Sequence, residues 1–470
     1  MRPLEILPPI LLAIHISAPF FTRHAFIKYI PPLALLVSIA HRELEGYRWQ
    51  MIPLYVLTAA LALANLPAFF KADSANMPSP RPGAAASILT LILVALATAF
   101  PILLPIPRIA DPTGPFPVGT RSFVLIDASR AELYSGRDES RRFMIQVWYP
   151  AAPGKEDVHA PWVADADPFA KANARQLDLP EFFLDHLVYS KSPAFQDAPL
   201  KISNASYPVI VFSHGWKGFA AQSTAQMVEL ASHGYVVVGM QHTYGAIITI
   251  FPDGEVADNN PDALPDGMPE PGYTDAARLV VDQWSDDMAF TLDFLAEQNE
   301  ESTSQFYSAL DLTRVGIFGH STGGGAVVQF CGVDPRCSAG LAQDAFMTPV
   351  SQEVQDRGLT QPFLFLFSQE WSDITDSKNN RLFDAFLPKV SQPIGVLTIL
   401  GTKHYDFSDL PLLSPLAPQL GLKGPINGKR VVRIINDYLV AYFDQELKGI
   451  SSPIPFGSSD EYPELRWENK

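Results

Sequence analysis

The chain has 470 residues, with 34 Lys or Arg against 50 Asp or Glu, so its formal net charge at pH 7 is −16. This length exceeds one ordinary domain and allows a large core. The acidic balance argues against nucleic-acid binding, which needs clustered Lys and Arg to contact phosphates. The charge is unevenly spread, because residues 1–110 hold eight Lys/Arg and four Asp/Glu, which leaves 26 and 46 for the remainder.

The first 107 residues are predicted to form an all-α, multi-pass membrane region. Met51–Phe70 has 20 uncharged residues and Ala84–Pro107 has 24, and each run could cross a hydrocarbon core of about 30 Å as a helix. Two shorter runs, Ile6–Phe21 and Tyr29–Ala40, contain prolines and are candidates for kinked spans or interfacial segments. Four spans is the preferred count and three the alternative. Lys and Arg divide almost evenly between the two sets of loops, so the orientation stays open.

A Pro/Gly-rich stretch, DPTGPFPVG at Asp111–Gly119, indicates a boundary between two domains. We place a linker at residues 108–120 and a second domain at 121–450. Residues 451–470 are interpreted as a C-terminal tail. Within the second domain, residues 151–200 are expected to form a long irregular insertion with two short helices.

Apolar strand-like runs alternate with helix-like runs in the second domain. Strands are predicted at Phe143–Tyr149, Tyr207–Phe212 and Tyr235–Met240, and a long amphipathic helix at Ala276–Gln298. This alternation predicts an α/β fold, with a mostly parallel sheet and helices on both of its faces.

A candidate nucleophile follows the next predicted strand, Val315–Phe318. Gly319-His320-Ser321-Thr322-Gly323 is a G-x-S-x-G pattern, and a helix-compatible run, Ala326–Phe330, comes after it. Between a strand and a helix this turn strains the serine backbone and exposes its hydroxyl, as in α/β-hydrolases. We therefore predict Ser321 as the nucleophile. The alternative is a glycine-rich connection in which the serine only caps a helix.

Two backbone N–H groups are predicted to form an oxyanion hole. In α/β-hydrolases one donor is the residue after the nucleophile, here Thr322, and the other lies in a loop after an earlier strand. Ser213-His214-Gly215-Trp216 directly follows the strand that ends at Phe212, and we assign the second donor to Trp216. His214 is interpreted as a structural histidine that braces this loop.

The catalytic base is found by elimination. In this fold the chain order is Ser, then acid, then His, and of ten histidines only His404 lies beyond Ser321. It follows a predicted strand, Ile394–Leu400. Neutral imidazole has an ordinary pKa near 6.5, so His404 could accept the serine proton at neutral pH and return it to the leaving group.

The catalytic acid has two candidate positions, each after a predicted strand. Asp344 follows Ala339–Gln343, whereas Glu370 and Asp373 follow Pro362–Phe367. A buried carboxylate at either position could hold the imidazole tautomer and stabilise the imidazolium. The residues alone leave the choice open.

Several ordered motifs resemble platelet-activating-factor acetylhydrolases of the plasma and intracellular-II type. The motifs, spread over residues 115–445, are FSHG at Phe212–Gly215, ASHGY at Ala231–Tyr235, GHSTGG at Gly319–Gly324, DAFMTP at Asp344–Pro349, SQEW at Ser368–Trp371 and the His404 loop. The resemblance implies that Asp344 is the acid, with Asp373 the alternative. It also implies a calcium-independent serine esterase, without cofactor, that acts on phospholipids with short or oxidised sn-2 acyl groups. Thr322 and Trp216 depart from the family pattern, which leaves the acyl preference open.

Cys331 and Cys337 flank five residues after the nucleophile helix and are predicted to form a disulfide. A disulfide would favour an extracytoplasmic location for the second domain; the alternative is a pair of buried thiols. No metal site is predicted.

The sequence thus predicts a membrane-anchored esterase whose partners are a lipid or other ester substrate and the bilayer. Its oligomeric state stays open. Alternatives are an esterase for triglycerides or polyesters, and an inactive hydrolase-fold module for binding or sensing.

Overall fold

A computed structural model describes residues 1–21, 25–70, 83–451, 454, 456–457 and 459–468. The chain divides into two compact units. The first, called the helical unit below, consists of Met1–Pro107, Ala174–Tyr189 and Leu413–Leu416. The second, called the sheet unit, contains the rest of the chain from Arg108 onward.

The elements are numbered in chain order. The α-helices are α1 (Pro3–Ser17), α2 (Ile30–Leu44), α3 (Ile52–Phe70), α4 (Ala84–Leu103), α5 (Ala166–Gln176), α6 (Thr224–Ser232), α7 (Gly272–Glu300), α8 (Thr322–Val333), α9 (Gln352–Arg357), α10 (Gln369–Ser372), α11 (Lys378–Phe386) and α12 (Gly428–Lys448). The strands are β1 (Val118–Ala131), β2 (Ser140–Pro150), β3 (His159–Pro161), β4 (Lys191–Gln196), β5 (Tyr207–Ser213), β6 (Val236–Gln241), β7 (Ile248–Ile250), β8 (Val256–Asp258), β9 (Leu310–His320), β10 (Cys337–Gln343), β11 (Pro362–Ser368), β12 (Gln392–Ile399) and β13 (Leu465–Glu468).

The helical unit contains α1 to α4. Three of its described helical stretches are long and apolar enough to cross a membrane: Pro3–Phe20, Trp49–Pro67 and Ala84–Leu103. The fourth predicted span falls on α2, a helix of 15 residues, and stays a prediction. A small core of Leu12, Ala34 and other apolar side chains joins the helices, while many large apolar side chains on their outer faces are exposed.

The sheet unit confirms the predicted α/β fold. Its eleven-stranded sheet has the order β13-β12-β11-β10-β9-β5-β6-β2-β1-β4-β3. The run from β12 to β6 is parallel throughout, and β2 and β13 pair antiparallel with its two ends. Strand β9, which precedes Ser321, lies near the middle of this parallel run.

The alternating direction of the side chains along β5 illustrates why helices cover both faces of the sheet. Every residue of β5 is buried. Val209 and Val211 pack in the apolar cluster that contains residues of α7 and α8, whereas Ile210 and Phe212 pack in the cluster that contains residues of α6 and α12. Successive side chains of a strand point to opposite faces, so an uninterrupted apolar run needs cover on both sides.

Two terminal or inserted segments differ from the sequence interpretation. The predicted C-terminal tail supplies β13, which pairs antiparallel with β12 and extends the sheet. The predicted insertion at 151–200 contains β3, β4 and α5, and its part Ala174–Tyr189 belongs to the helical unit. The sequence contains no local signal for the pairing of β13 or for the place of Ala174–Tyr189 in the helical unit. Each of these short segments is ordered by residues far away in the sequence.

Candidate active site

Ser321 occupies a strained turn between β9 and α8. Its backbone angles are φ 57° and ψ −119°, a region that L-residues other than glycine rarely adopt. The flanking glycines permit this turn. A Cβ on Gly319 would stand 2.6 Å from the carbonyl oxygen of Gly323, and one on Gly323 would collide with the carbonyl oxygen of Ser213. The motif therefore has the geometry that exposes a serine hydroxyl.

His404 links Ser321 to Asp344. Its Nε2 lies 2.9 Å from Ser321 Oγ, and its Nδ1 lies 2.9 Å from Asp344 Oδ2. Because an ionised carboxylate only accepts hydrogen bonds, this contact assigns the proton of neutral His404 to Nδ1. Nε2 is then the acceptor for the Ser321 hydroxyl, which is the tautomer that a general base needs.

Asp344 is completely buried and held by Ser368 at the end of β11. The backbone N–H of Ser368 donates to Oδ1 at 2.8 Å, and its hydroxyl donates to Oδ2 at 2.7 Å. Asp344 itself has a left-handed φ of 47° directly after β10. Ser368 lies in the SQEW motif, but its sequence context alone predicts no role for it.

The other acid candidates do not reach the imidazole ring. The side chain of Asp373 is half exposed and lies 3.7 Å from Arg466 Nη2, and it accepts a hydrogen bond from Gln369. Glu370 Oε2 accepts from the backbone N–H of His404 at 3.1 Å, not from its ring. Of the three predicted acids, the geometry brings only Asp344 to Nδ1.

Two further aromatic rings hold His404, and sequence reasoning gave neither a role. Trp371 stacks on it with ring centroids 4.7 Å apart and an interplanar angle of 15°. His320, the residue before the serine, donates from Nε2 to the backbone carbonyl of His404 at 2.9 Å. Burial, with a smaller effect of His404, lowers the pKa of His320 well below its ordinary value, so His320 is neutral, and the carbonyl acceptor assigns its ring proton to Nε2.

The predicted oxyanion loop passes beside the serine. A Cβ built on Gly215 would stand 3.2 Å from Ser321 Cβ, and Trp216 is the next residue. Among the backbone hydrogen bonds of the described residues, the N–H groups of Trp216 and Thr322 have no acceptor. Two free donors next to a serine hydroxyl are what an acyl-transfer site requires. His214 is buried in this loop, where the sequence analysis expected a structural role.

His320, Asp344 and His404 also form a cluster whose ligand atoms lie within 4.8 Å of one another. Such a cluster could hold a metal ion. However, both nitrogens of His404 already have partners in Ser321 and Asp344. A cation would have to displace the bond between His404 and Asp344, so the hydrogen-bonded array accounts better for these residues.

The two cysteines of the chain form a disulfide between the end of α8 and the start of β10. The Cα atoms of Cys331 and Cys337 are 5.1 Å apart. This bond ties the helix that follows Ser321 to the strand that precedes Asp344.

A family model described as platelet-activating factor acetylhydrolase, isoform II, matches residues 105–266 and 292–452. The chain belongs to this family. Among curated members, the platelet-activating factor acetylhydrolase of Cavia porcellus is 26% identical over 353 residues, which cover 71% of this chain and 77% of that protein. A probable 1-alkyl-2-acetylglycerophosphocholine esterase of Arthroderma benhamiae is 25% identical and is matched over 97% of its length and 80% of this chain.

A solved structure of a ferulic acid esterase from Streptomyces cinnamoneus has the same fold. Its TM-score is 0.62 at 24% sequence identity, and the match covers 77% of this chain and 99% of the esterase. The resemblance drawn from the sequence motifs is therefore confirmed at the level of family and fold. As a member of the platelet-activating factor acetylhydrolase, isoform II, family, the chain is a carboxylic ester hydrolase.

Proposed function

We propose that this family member is a membrane-anchored serine esterase with Ser321 as nucleophile, His404 as base and Asp344 as the acid that orients it. The observation that carries the proposal is the continuous array from Ser321 Oγ through His404 to Asp344, with both contacts at 2.9 Å. The strained serine backbone adds support. An inactive binding module would have no need for such strain beside a correctly tautomerised histidine.

In the acylation step His404 Nε2 removes the proton from Ser321 Oγ while this oxygen bonds to the ester carbonyl carbon. The carbonyl double bond opens to an oxyanion, which then collapses as the bond to the leaving alcohol breaks. His404 passes its proton to that alcohol, and the acyl group stays on Ser321. Asp344 stabilises the transient imidazolium without taking its proton.

Deacylation repeats the sequence with water. His404 deprotonates a water molecule, whose oxygen bonds to the acyl carbon and forms a second oxyanion. Collapse breaks the bond to Ser321 Oγ, returns the proton to it and releases a carboxylic acid. The N–H groups of Trp216 and Thr322 are the proposed donors to both oxyanions, and loss of one such donor typically costs about 10²- to 10³-fold in kcat.

The proposed substrates are phospholipids with a short or oxidised acyl group at sn-2. The names of the relatives support this class, and the three apolar helices near the N-terminus support a location beside lipid. Triglycerides and polyesters with short acyl groups are the competing substrates.

Hydrolysis by purified protein in lipid nanodiscs tests the proposal. We expect hydrolysis of a 2-acetyl phospholipid, which releases acetate, at a higher kcat/KM than hydrolysis of a 2-palmitoyl phospholipid or of tributyrin. Ser321→Ala should lower kcat by at least about 10⁴-fold while it remains folded. Equal turnover by Ser321→Ala would refute the mechanism, and a preference for tributyrin would refute only the substrate class.

We also propose that residues 1–107 anchor the protein, that 108–120 act as a linker and that the catalytic domain at 121–450 lies outside the cytoplasm. The disulfide between Cys331 and Cys337 supports an oxidising compartment. In intact cells both cysteines should react with a thiol reagent only after reduction. Full labelling without reductant would place the domain in a reducing compartment.

A further inference from the structure

His214 binds the carbonyl group of the peptide that carries the Trp216 N–H. Its Nδ1 lies 2.7 Å from the carbonyl oxygen of Gly215. In a planar trans peptide the C=O and the following N–H point in opposite directions. By holding the Gly215 carbonyl, His214 therefore determines the direction in which the Trp216 N–H points.

This peptide stands next to the proposed nucleophile. Gly215 approaches Ser321 so closely that an added Cβ would lie 3.2 Å from the serine Cβ. The Gly215 carbonyl also accepts from the backbone N–H of Gly218 at 2.8 Å. A carbonyl held by two donors on one side leaves the Trp216 N–H on the other side, where an acceptor can approach it.

The protonation of His214 is also determined by its surroundings. Its Nε2 accepts from the backbone N–H of His242 at 3.2 Å, which assigns the ring proton to Nδ1. The side chain is fully buried, and burial, with the neighbouring His242, lowers the pKa of His214 well below its ordinary value. His214 is therefore neutral near pH 7, and its Nδ1–H donates to the carbonyl oxygen of Gly215.

A buried hydrogen-bond array holds His242 in turn. His242 Nδ1 lies 2.9 Å from Asp287 Oδ2, and Ser213 Oγ lies 3.0 Å from His242 Nε2. Arg141 Nη2 binds the same oxygen of Asp287 at 2.6 Å. The ring of His242 stacks on Trp284 with centroids 4.2 Å apart. With its ring clamped, His242 presents its backbone N–H to His214 in one orientation.

We propose that His214 is a positioning residue of this esterase: it aims the Trp216 N–H at the oxyanion that forms on the substrate. The inference rests on the proposed serine mechanism. The hydrogen bonds of His214 join it to the Gly215 carbonyl and the His242 N–H, so its effect on the reaction passes through the Gly215–Trp216 peptide. His214 is therefore expected to stabilise the transition state and not the bound substrate. Loss of His214 should lower kcat and leave KM nearly unchanged.

Four substitutions test this role with a short-chain ester. His214→Leu removes the donor and should lower kcat by about 10- to 100-fold with KM within about threefold. His214→Asn can place an amide N–H near the position of Nδ1 and should recover most of kcat, whereas the amide of His214→Gln reaches the position of Nε2 and should not. Val211→Ala, a buried change in β5, is the control for lost packing and should lower the melting temperature without changing kcat more than about twofold.

Equal turnover by the Asn and Gln variants would overturn the proposal, as would a His214→Leu enzyme within threefold of wild-type kcat. Even if His214→Leu does not fold, the difference in kcat between His214→Asn and His214→Gln shows whether a donor at the position of Nδ1 is needed. Ser321→Ala is assayed in parallel. If that variant keeps its activity, the serine mechanism fails; if it is inactive while the His214 variants match wild type, only the role of His214 fails.

Discussion

Two Ser-His-Asp arrays lie in the sheet unit, and they share the same order of hydrogen bonds. Ser321, His404 and Asp344 follow β9, β12 and β10. In the second array, Ser213 ends β5, His242 follows β6 and Asp287 lies on α7. In each, the carboxylate binds Nδ1 and the serine hydroxyl binds Nε2.

The surroundings, not the hydrogen bonds, distinguish the two arrays. All three members of the second are fully buried, so no ester can reach Ser213. Ser213 also lies within regular strand structure, whereas Ser321 has a φ of 57°. In the described part of the chain, the N–H groups of Thr322 and Trp216 beside Ser321 have no backbone acceptor. Triad geometry alone therefore does not make a catalytic site. Access, a strained nucleophile and oxyanion donors must accompany it.

Removal of the acid should have a large kinetic effect in the first array. In Asp344→Asn the amide donates where the carboxylate accepted, so His404 is expected to carry its proton on Nε2 and to lose its role as base. We expect kcat to fall by about 10⁴-fold with native unfolding behaviour. Asp373→Asn, the matched control at the alternative acid, should stay within about twofold of wild type. A larger fall for Asp373→Asn would contradict the assignment.

Removal of the acid from the second array should instead destabilise the folded protein. Burial alone would raise the pKa of Asp287, but Arg141 and His242 outweigh it and lower the pKa below its ordinary value. Asp287→Asn leaves buried Arg141 short of a counter-charge, and we expect a loss of about 3–5 kcal/mol in the free energy of unfolding, measured with urea. Asp286→Asn, on the same helix with an exposed side chain, should change it by about 0.5 kcal/mol or less.

Three buried histidines link stability to pH: His242 in the second array, and His214 and His320 beside the arrays. Burial lowers the pKa values of His214, His242 and His320 below 6.5. At these three sites the unfolded chain takes up protons that the folded protein does not, which lowers stability as the pH drops below about 6.5. Asp409 acts in the opposite sense below pH 7, because burial raises the pKa of its carboxyl to about 7 and the folded protein then binds the proton. Each histidine contributes up to about 1.4 kcal/mol per pH unit.

Urea midpoints at pH 7.5, 6.5 and 5.5 measure this dependence. Asp287 adds nothing in this range, since its lowered pKa keeps it ionised until the pH falls well below 4. The slope of stability against pH should be smaller in the His214→Asn variant than in wild type. An identical slope in wild type and His214→Asn would exclude neutral burial of His214.

The sequence predicted the first array better than the second for a physical reason. The turn at Ser321 is a local motif, because the glycines needed for its strain lie within two residues. His404 followed from chain order alone. Asp344 could not be chosen over Asp373 from the residues themselves, because the choice depends on how β10 and β11 align beside β9. The family resemblance, not a local pattern, favoured Asp344.

The α/β alternation was likewise readable from the sequence, whereas long-range pairings were not. Strand β13 and the insertion segment Ala174–Tyr189 are ordered by partners that their own sequences do not indicate. The same holds for the second array. Asp287 is one of several acidic residues on a long helix, and only the tertiary structure places two arginines and His242 around it.

The smallest expected effect comes from Ser213, the member of the second array that most resembles a nucleophile. In Ser213→Ala, Nε2 of buried His242 loses its donor, which should cost about 1–2 kcal/mol of stability. Turnover of a short-chain ester should remain within about threefold of wild type, because His242 stays bound to Asp287 and still presents its N–H to His214. Ser232→Ala removes another fully buried hydroxyl, one that donates to Glu229, and should cost a similar amount. A loss of turnover in Ser213→Ala as large as that in Ser321→Ala would mean that the two arrays are not separate in function.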